Sequence, residues 1–447
     1  MNSKYSKYVE PLFETSGNGF AEWFGYYNYS PIDSSGTRLI CNRGNSEKWI
    51  INSESKILIG FYDLNTGEWN EVGETRAWNW QQGSLAHWLP GVGNENKLIF
   101  NIERNGHLAS KIVDVVTGDS RFIDFPIYAI MPSGKKSIAI DLERSYWCRA
   151  YHYECVANSE KDGRVLSGDG IFEVNLETNS WRVIIPIQEV INADYHPEFD
   201  FYKHWVEHIM ISPSGQKIAF LHRFSSIRDV NHYFTRLFVA NSDGSCLELV
   251  HGWLDYEWSH FGWKDDESFI VYTYDYGTKL LNHPNANNKN VVNLSKNLSM
   301  KVLLINRLRS LTPQWILTIR RNKKQYYQLY EKNETYYLKK VIHLPFSFID
   351  GHPSFAQKGD VVITDTYPDS SKWRHLVAYC PRTGIGVELA RFKEAHLLGN
   401  AACDLHPKVI EDGNRIVLDT TYQGKHSMIV LSVDWYALKK KLQRSEK

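Results

Sequence analysis

The chain has 447 residues, with 51 Lys+Arg balancing 51 Asp+Glu and a pI near 7.3. That balance excludes the basic stripe that phosphate-backbone binding requires, so no nucleic-acid partner is expected. With 23% charged and 43% hydrophobic residues it is a folded chain, and the 14% aromatic content suits both all-β packing and sugar contacts.

The amino terminus, Met1-Asn-Ser-Lys-Tyr-Ser-Lys-Tyr8, has no apolar run behind its lysines and does not read as a secretory signal. No stretch approaches the roughly 18 apolar residues of a membrane helix. The six cysteines (Cys41, Cys148, Cys155, Cys246, Cys380, Cys403) are scattered without a CxxC pair, which argues against a disulfide frame or a zinc–thiolate site. Reduced thiols in a cytoplasmic protein are the expectation.

Along the chain one unit recurs: a short strand, a Gly-bearing polar turn, and a second strand rich in β-branched and aromatic residues. Early copies are Tyr27-Asn-Tyr-Ser-Pro-Ile-Asp-Ser-Ser-Gly36, Leu85-Ala-His-Trp-Leu-Pro-Gly91 with Lys97-Leu-Ile-Phe-Asn101, and Tyr128-Ala-Ile-Met-Pro-Ser-Gly134. Clearer copies begin at His208, His260, His352 and His406. Third strands end in turns such as Asp63-Leu-Asn-Thr-Gly67, Asp114-Val-Val-Thr-Gly118 and Asn241-Ser-Asp-Gly244, and a fourth strand follows. Seven such units, spaced by about 50 residues, predict an all-β fold, a seven-bladed β-propeller of four-stranded blades. Residues 1–434 are expected to form this single domain. The last unit shows three strands, so an N-terminal strand is expected to complete it. Residues 435–447 read as a basic, helical, solvated tail, and the Asn-rich stretch 281–301 as a loop inserted in the fifth blade.

The histidines keep register. In the clear copies a His opens the first strand, and Gly, or Glu267 in one copy, stands seven residues later: His208/Gly215, His260/Glu267, His352/Gly359, His406/Gly413. The first strand of a blade is innermost, so these side chains are expected around one mouth of the channel. The second strand returns there with His222-Arg223, Tyr274-Asp275, Asp365-Thr366-Tyr367 and Asp419-Thr420. Asp350 and Asp404 precede His352 and His406 by two residues, on the same side of an extended strand. Imidazole plus carboxylate without thiolate is a ligand set for a borderline divalent metal; a purely structural His–Asp network is the alternative. Arg223, with Arg76, Arg144 or Arg374, would suit an anionic sugar, because guanidinium pairs with carboxylate through two parallel hydrogen bonds. The run Arg76-Ala-Trp-Asn-Trp-Gln-Gln-Gly83 offers Trp78, Trp80, Gln81 and Gln82 as sugar contacts, or as interblade packing. Arg144-Ser-Tyr-Trp-Cys-Arg-Ala-Tyr-His-Tyr153 is expected to line the third blade in the same way.

Ser212-Pro-Ser-Gly-Gln-Lys-Ile-Ala-Phe220 and His352-Pro-Ser-Phe-Ala-Gln-Lys-Gly359 resemble TolB-type propeller repeats. Trp258-Ser-His260, His222-Arg223, Asp350-Gly-His-Pro-Ser-Phe355 and Asp404-Leu-His-Pro407 are similar to motifs of the oligogalacturonate lyases, over residues 204–426. The resemblance implies a manganese ion held by three histidines and a glutamine, with a separate histidine and an arginine serving proton abstraction. His260 and His352 match two of the metal histidines. The family's His-Pro-His stands here as Asp350-Gly-His352, and its glutamine position falls at Ser347, so half of that shell is changed. Asp350, and Asp404 or His406, are the residues that would complete it.

On this basis the expected activity is a metal-dependent lyase that cleaves a uronic-acid-containing oligosaccharide by β-elimination. His222, or alternatively His208, is assigned as base and Arg223 as carboxylate partner. His260, Asp350, His352 and His406 are the expected ligands of a divalent metal, Mn2+. Arg76, Trp80, Gln82, Arg144, Tyr274 and Tyr367 are the expected substrate contacts. The partner is an acidic oligosaccharide. The alternative reading is a non-catalytic propeller binding a glycan or protein during surface-polysaccharide assembly; metal-dependent hydrolysis is a third.

Overall fold

The computed structural model describes residues 3–15, 19–45, 50–149, 153–156, 161, 163–226, 233–251, 256–275, 324–343, 350–395, 401, 403–410 and 413–443. Seven antiparallel sheets are arranged as the blades of a β-propeller. The first three are built from Phe20–Trp23, Arg38–Asn45, Ile57–Asp63 and Trp69–Thr75; from His87–Trp88, Lys97–Arg104, His107–Asp114 and Ser120–Ile123; and from Ala129–Ile130, Lys136–Ile140, Gly170–Asn175 and Ser180–Pro186. Blade 4 comprises Tyr202–Ile211, Lys217–Ser226, Phe234–Asn241 and Glu248–His251, and blade 5 Tyr256–Asp265, Ser268–Asp275, Lys324–Lys332 and Tyr336–Ile342. Blade 6 contains Ser354–Ala356, Val361–Thr364, Trp373–Cys380 and Ile385–Lys393, and blade 7 Lys408–Val409, Arg415–Thr420 and Ser427–Val433. First strands of consecutive blades touch one another from blade 3 to blade 7, which makes them the inner wall of the channel.

The N-terminal segment closes the ring twice. Val9–Glu14 pairs with Ser427–Val433 as the fourth strand of blade 7, and Ser3–Tyr5 pairs with Ile385–Lys393 as a fifth strand on blade 6. Pro11 is tolerated because this strand lies at a sheet edge, where no ladder bond is demanded of its nitrogen. The helix Trp435–Gln443 buries Trp435, Leu438 and Leu442 with the apolar residues of blades 6 and 7. The Asn-rich stretch 281–301 lies outside the described residues.

Period-two alternation builds the interblade core. In Lys217–Ser226, Ile218, Phe220 and Phe224 pack with Ile138 and Phe172 of blade 3, whereas Ala219 and Leu221 pack with Phe261 and Val271 of blade 5. The turns fit against neighbouring blades. Gly244 has φ +93°, and a Cβ there would stand 2.2 Å from the Ile184 carbonyl oxygen, so a larger residue is barred twice over.

Blade 1 departs from the pattern. After Trp23 its inner strand breaks, and pairing resumes with the Ile32–Leu39 bridge. In between, Tyr26 and Tyr27 cross the channel: the Tyr26 hydroxyl meets His208 Nδ1 of blade 4 at 2.7 Å, and Tyr27 donates to the Phe261 carbonyl of blade 5 at 2.8 Å. Two tyrosines of blade 1 therefore stand across the channel beside the histidines, the Tyr26 ring 5.0 Å from His406 and the Tyr27 ring 5.0 Å from His352.

Candidate active site at the channel mouth

His208, His260, His352 and His406 form a continuous row. Ring centroids are 5.5 Å apart for His208–His260, 3.9 Å for His260–His352 and 4.4 Å for His352–His406. All are buried. Local backbone geometry aims them. The inner strands of blades 4 and 5 carry register shifts between Glu207 and Met210 and between Trp258 and Phe261, and His208, Asp350 and His406 adopt positive φ of 54°, 45° and 45°. Left-handed non-glycine residues at one site are strained, and His and Asp are among the side chains that tolerate it best.

Asp365 organises the far end of the row. Its Oδ1 accepts the His352 backbone N–H at 2.6 Å, and both oxygens lie within 3.0 Å of His352 Nδ1. Oδ2 also accepts the backbone N–H groups of Leu405 at 3.0 Å and His406 at 3.3 Å, tying blade 6 to blade 7. Burial pushes this carboxyl up, but the imidazoles of His352 and His406 and the backbone donor outweigh it and hold the pKa below the usual carboxylate range. Asp419 performs the same clamp one blade on, accepting Phe24 and Gly25 N–H. With no cation beside it among the described residues, it is raised well above the ordinary value by burial.

No family model and no curated protein matches the chain. Among solved structures, an oligogalacturonate lyase in complex with manganese is similar at TM-score 0.60 and 14% identity, over 97% of this chain and 96% of that one. The oligogalacturonate lyase of Vibrio parahaemolyticus gives TM-score 0.58 and 12% identity over 97% of each. The chain has the oligogalacturonate-lyase fold. At these identities the likeness shows the fold; the chemistry has to be read from this chain's own side chains.

Within this propeller, the donor set fits a divalent cation. One ligand atom each from His352, Asp404 and His406 lie within 4.8 Å of one another, all three residues being buried. His352 gives its Nδ1 hydrogen to Asp365, and its Nε2 has no partner among the described residues; burial lowers its pKa, but Asp365 and Asp404 outweigh burial and raise it, so a cation would take the place of the Nε2 proton. Neither ring nitrogen of His406 has such a partner. Burial and the neighbouring His352 depress the His406 pKa to about 3, so its imidazole is neutral and able to ligate. Burial raises the Asp404 carboxyl, but Arg374 Nη1, together with His352 and His406, keeps it below its ordinary value; Arg374 Nη2 is anchored to Glu394 at 2.7 Å. Buried imidazole nitrogens without partners are rare in folded proteins, and a cation satisfies them. Two nitrogens and one oxygen suit manganese, iron or zinc better than calcium or magnesium.

The other expected residues divide. His260 donates Nδ1–H to Asp350 Oδ1 at 3.0 Å, and Tyr274 donates to Asp350 Oδ2 at 3.3 Å. Asp350 thus serves as the acceptor for His260, and the carboxylate that joins His352 and His406 is Asp404. Tyr367 lies 6.3 Å from the rings of both His260 and His352, at the mouth. Arg223 pairs with Glu207 at 2.6 Å and stacks on Tyr233, beside His208.

His222 is set apart. It faces blade 3 with Phe220 and Phe224, fully buried, accepts Arg236 Nε at Nδ1 (3.1 Å), and lies 3.0 Å through Nε2 from His204 Nδ1. His204 Nε2 reaches the Phe199 carbonyl at 2.8 Å, so one tautomer satisfies the whole series and leaves His222 no free lone pair for a base. Alternation carries the signal: Phe220, His222 and Phe224 occupy one face of their strand, and that face is core. Arg144 is caged by the carbonyls of Lys161, Gly163, Arg164 and His204, and Arg76 pairs with Glu54 and Glu103. Trp80 packs between Trp23 and His426, each at 4.8 Å, and Gln82 donates to the Tyr128 hydroxyl at 3.2 Å. Conversely, Tyr26 and Glu207 stand beside His208 and are not singled out from the sequence, whereas Arg149, within the run expected at blade 3, pairs with Glu207. The only cue to Tyr26 is a Gly25-Tyr-Tyr run where an inner strand is due.

Proposed function

We propose that the chain is a carbon–oxygen lyase that cleaves a uronic-acid-containing oligosaccharide by β-elimination with the help of a bound divalent cation. The observation that carries this reading is the convergence of His352 Nε2, His406 and Asp404, two of them with buried nitrogens lacking other partners. The neighbour solved with manganese supports it at the level of fold.

The proton at C5 of a uronate is too weakly acidic for an unaided side chain, so the adjoining carboxylate has to be neutralised. The cation would supply that neutralisation as a Lewis acid. His352 and His406 would hold it through neutral imidazole, Asp404 through carboxylate, with Asp365 fixing the His352 tautomer. Arg223 keeps a buried Nε without a partner among the described residues, a donor suited to an anionic sugar. Tyr274 and Tyr367 stand at the rim of the same mouth and offer ring faces and hydroxyls to a pyranose. No helix among the described residues is long and apolar enough to cross a membrane, and all six cysteines are free thiols.

The test is incubation with galacturonate and other uronate oligomers, with and without Mn2+. A product that absorbs in the ultraviolet and has the mass of substrate fragments without added water is expected. A product heavier by one water would replace elimination with hydrolysis. Tight oligosaccharide binding without turnover would make the propeller a binding module.

A further inference from the structure

With His222 occupied elsewhere, the base of the site has to be found among other groups. Tyr26 crosses from blade 1 to place its hydroxyl oxygen 2.7 Å from His208 Nδ1. On the other edge of that imidazole, Nε2 lies 3.6 Å from Glu207 Oε2. Glu207 is held rigidly: Arg149 and Arg223 each donate to Oε2 at 2.6 Å, and Trp205 Nε1 donates to Oε1 at 2.6 Å. A fixed carboxylate opposite Nε2 favours the tautomer with hydrogen on that nitrogen. The lone pair then resides on Nδ1, and the Tyr26 hydroxyl is the donor. Hydroxyl, imidazole and carboxylate follow one another in the order of a catalytic triad, with the carboxylate at an ion-pair distance rather than hydrogen-bonded, and the hydroxyl can lose its proton to the ring as it accepts another. The Tyr26 ring also flanks His406 at 5.0 Å and His352 at 6.1 Å, so it stands between the candidate cation ligands and His208.

We infer that Tyr26 is the catalytic base, with His208 as its proton acceptor and Glu207 as the positioning residue; this rests on the lyase reading above. In the step, Tyr26 Oη takes the C5 proton of the uronate while its own proton passes to His208 Nδ1. The C5–H electron pair becomes the C4–C5 double bond. The C4–O bond breaks with its pair on the departing glycosidic oxygen, which takes a proton from water, and the hydroxide left behind takes the proton from His208. Nothing is oxidised or reduced.

The experiment compares wild type, Y26F, H208N and the double variant on a galacturonate oligomer with Mn2+, together with Mn2+ binding by calorimetry and near-ultraviolet circular dichroism. Y26F is expected to lower kcat by about a hundredfold or more, the range lost with a general base, at unchanged KM and Mn2+ affinity. H208N reports the same pair from a different blade, and the double variant is expected to be no slower than the slower single one. Y26F and H208N that both turn over within about threefold of wild type overturn the proposal alone. A wild-type protein that forms no unsaturated product overturns the lyase reading and this inference with it. Loss of Mn2+ binding in folded Y26F would assign Tyr26 to building the cation site and overturn its role as base.

Discussion

Asp365 and His406 lie on different blades, yet the Asp365 carboxylate accepts the His406 backbone N–H at 3.3 Å while also holding the ring of His352. One side chain thereby fixes the spacing of two imidazoles that converge with Asp404. Its role is to convert two neighbouring blades into one rigid donor set.

The D365N variant tests this. The amide retains one acceptor oxygen but puts an NH2 group against backbone N–H donors, so a stability loss of about 2–3 kcal/mol is expected by urea denaturation. Mn2+ affinity measured by calorimetry is expected to fall about 10- to 100-fold, the usual effect of removing a residue that orients a ligating histidine.

H222Q separates the buried histidine from the row at the mouth. Breaking the Arg236–His222–His204 series leaves buried polar atoms unpaired and is expected to cost about 1–3 kcal/mol. Turnover per folded molecule is expected to remain near wild type. A selective loss of kcat with stability intact would return His222 to the chemistry.

Tyr27 both donates to the Phe261 carbonyl and accepts the Phe261 N–H, joining blade 1 to blade 5 across the pore. Y27F strands two backbone groups inside the channel. A loss of about 2 kcal/mol is expected by chemical denaturation.

Three buried histidines lose stability to acid, against the raised carboxyls of Asp419 and Asp169, which act in the opposite direction. Burial depresses His87, His204 and His426 from 6.5 to about 4, each away from the candidate cation ligands. As pH falls below about 6.5 the unfolded chain binds protons that these folded imidazoles refuse, so their part of the stability drops until about pH 4, where they also titrate. Each contributes about 1–2 kcal/mol of loss between about pH 7 and pH 5. Denaturation midpoints across that range, compared between wild type and H426Q, whose amide can still donate to the Ala401 carbonyl, should differ in slope by one proton.

Strand alternation, the glycine turns and the interval of seven residues from His to turn are local properties, set by backbone sterics within each unit. They made the blade count, the N-terminal closure and the shared level of His208, His260, His352 and His406 readable from the chain alone. His222 reads from the sequence as the base at the mouth, although the phenylalanines two residues to either side mark its face of the strand as core. Other features depend on what stands opposite. The break after Trp23 carries Tyr26 and Tyr27 over the pore, the left-handed turns at His208, Asp350 and His406 override strict alternation, and Asp404 rather than Asp350 faces the two imidazoles. A strand's periodicity says which face a side chain takes but carries no information about the blade across the channel. Hydrogen bonds between residues nearly 200 positions apart, such as Tyr26 to His208, exist only once the ring has closed.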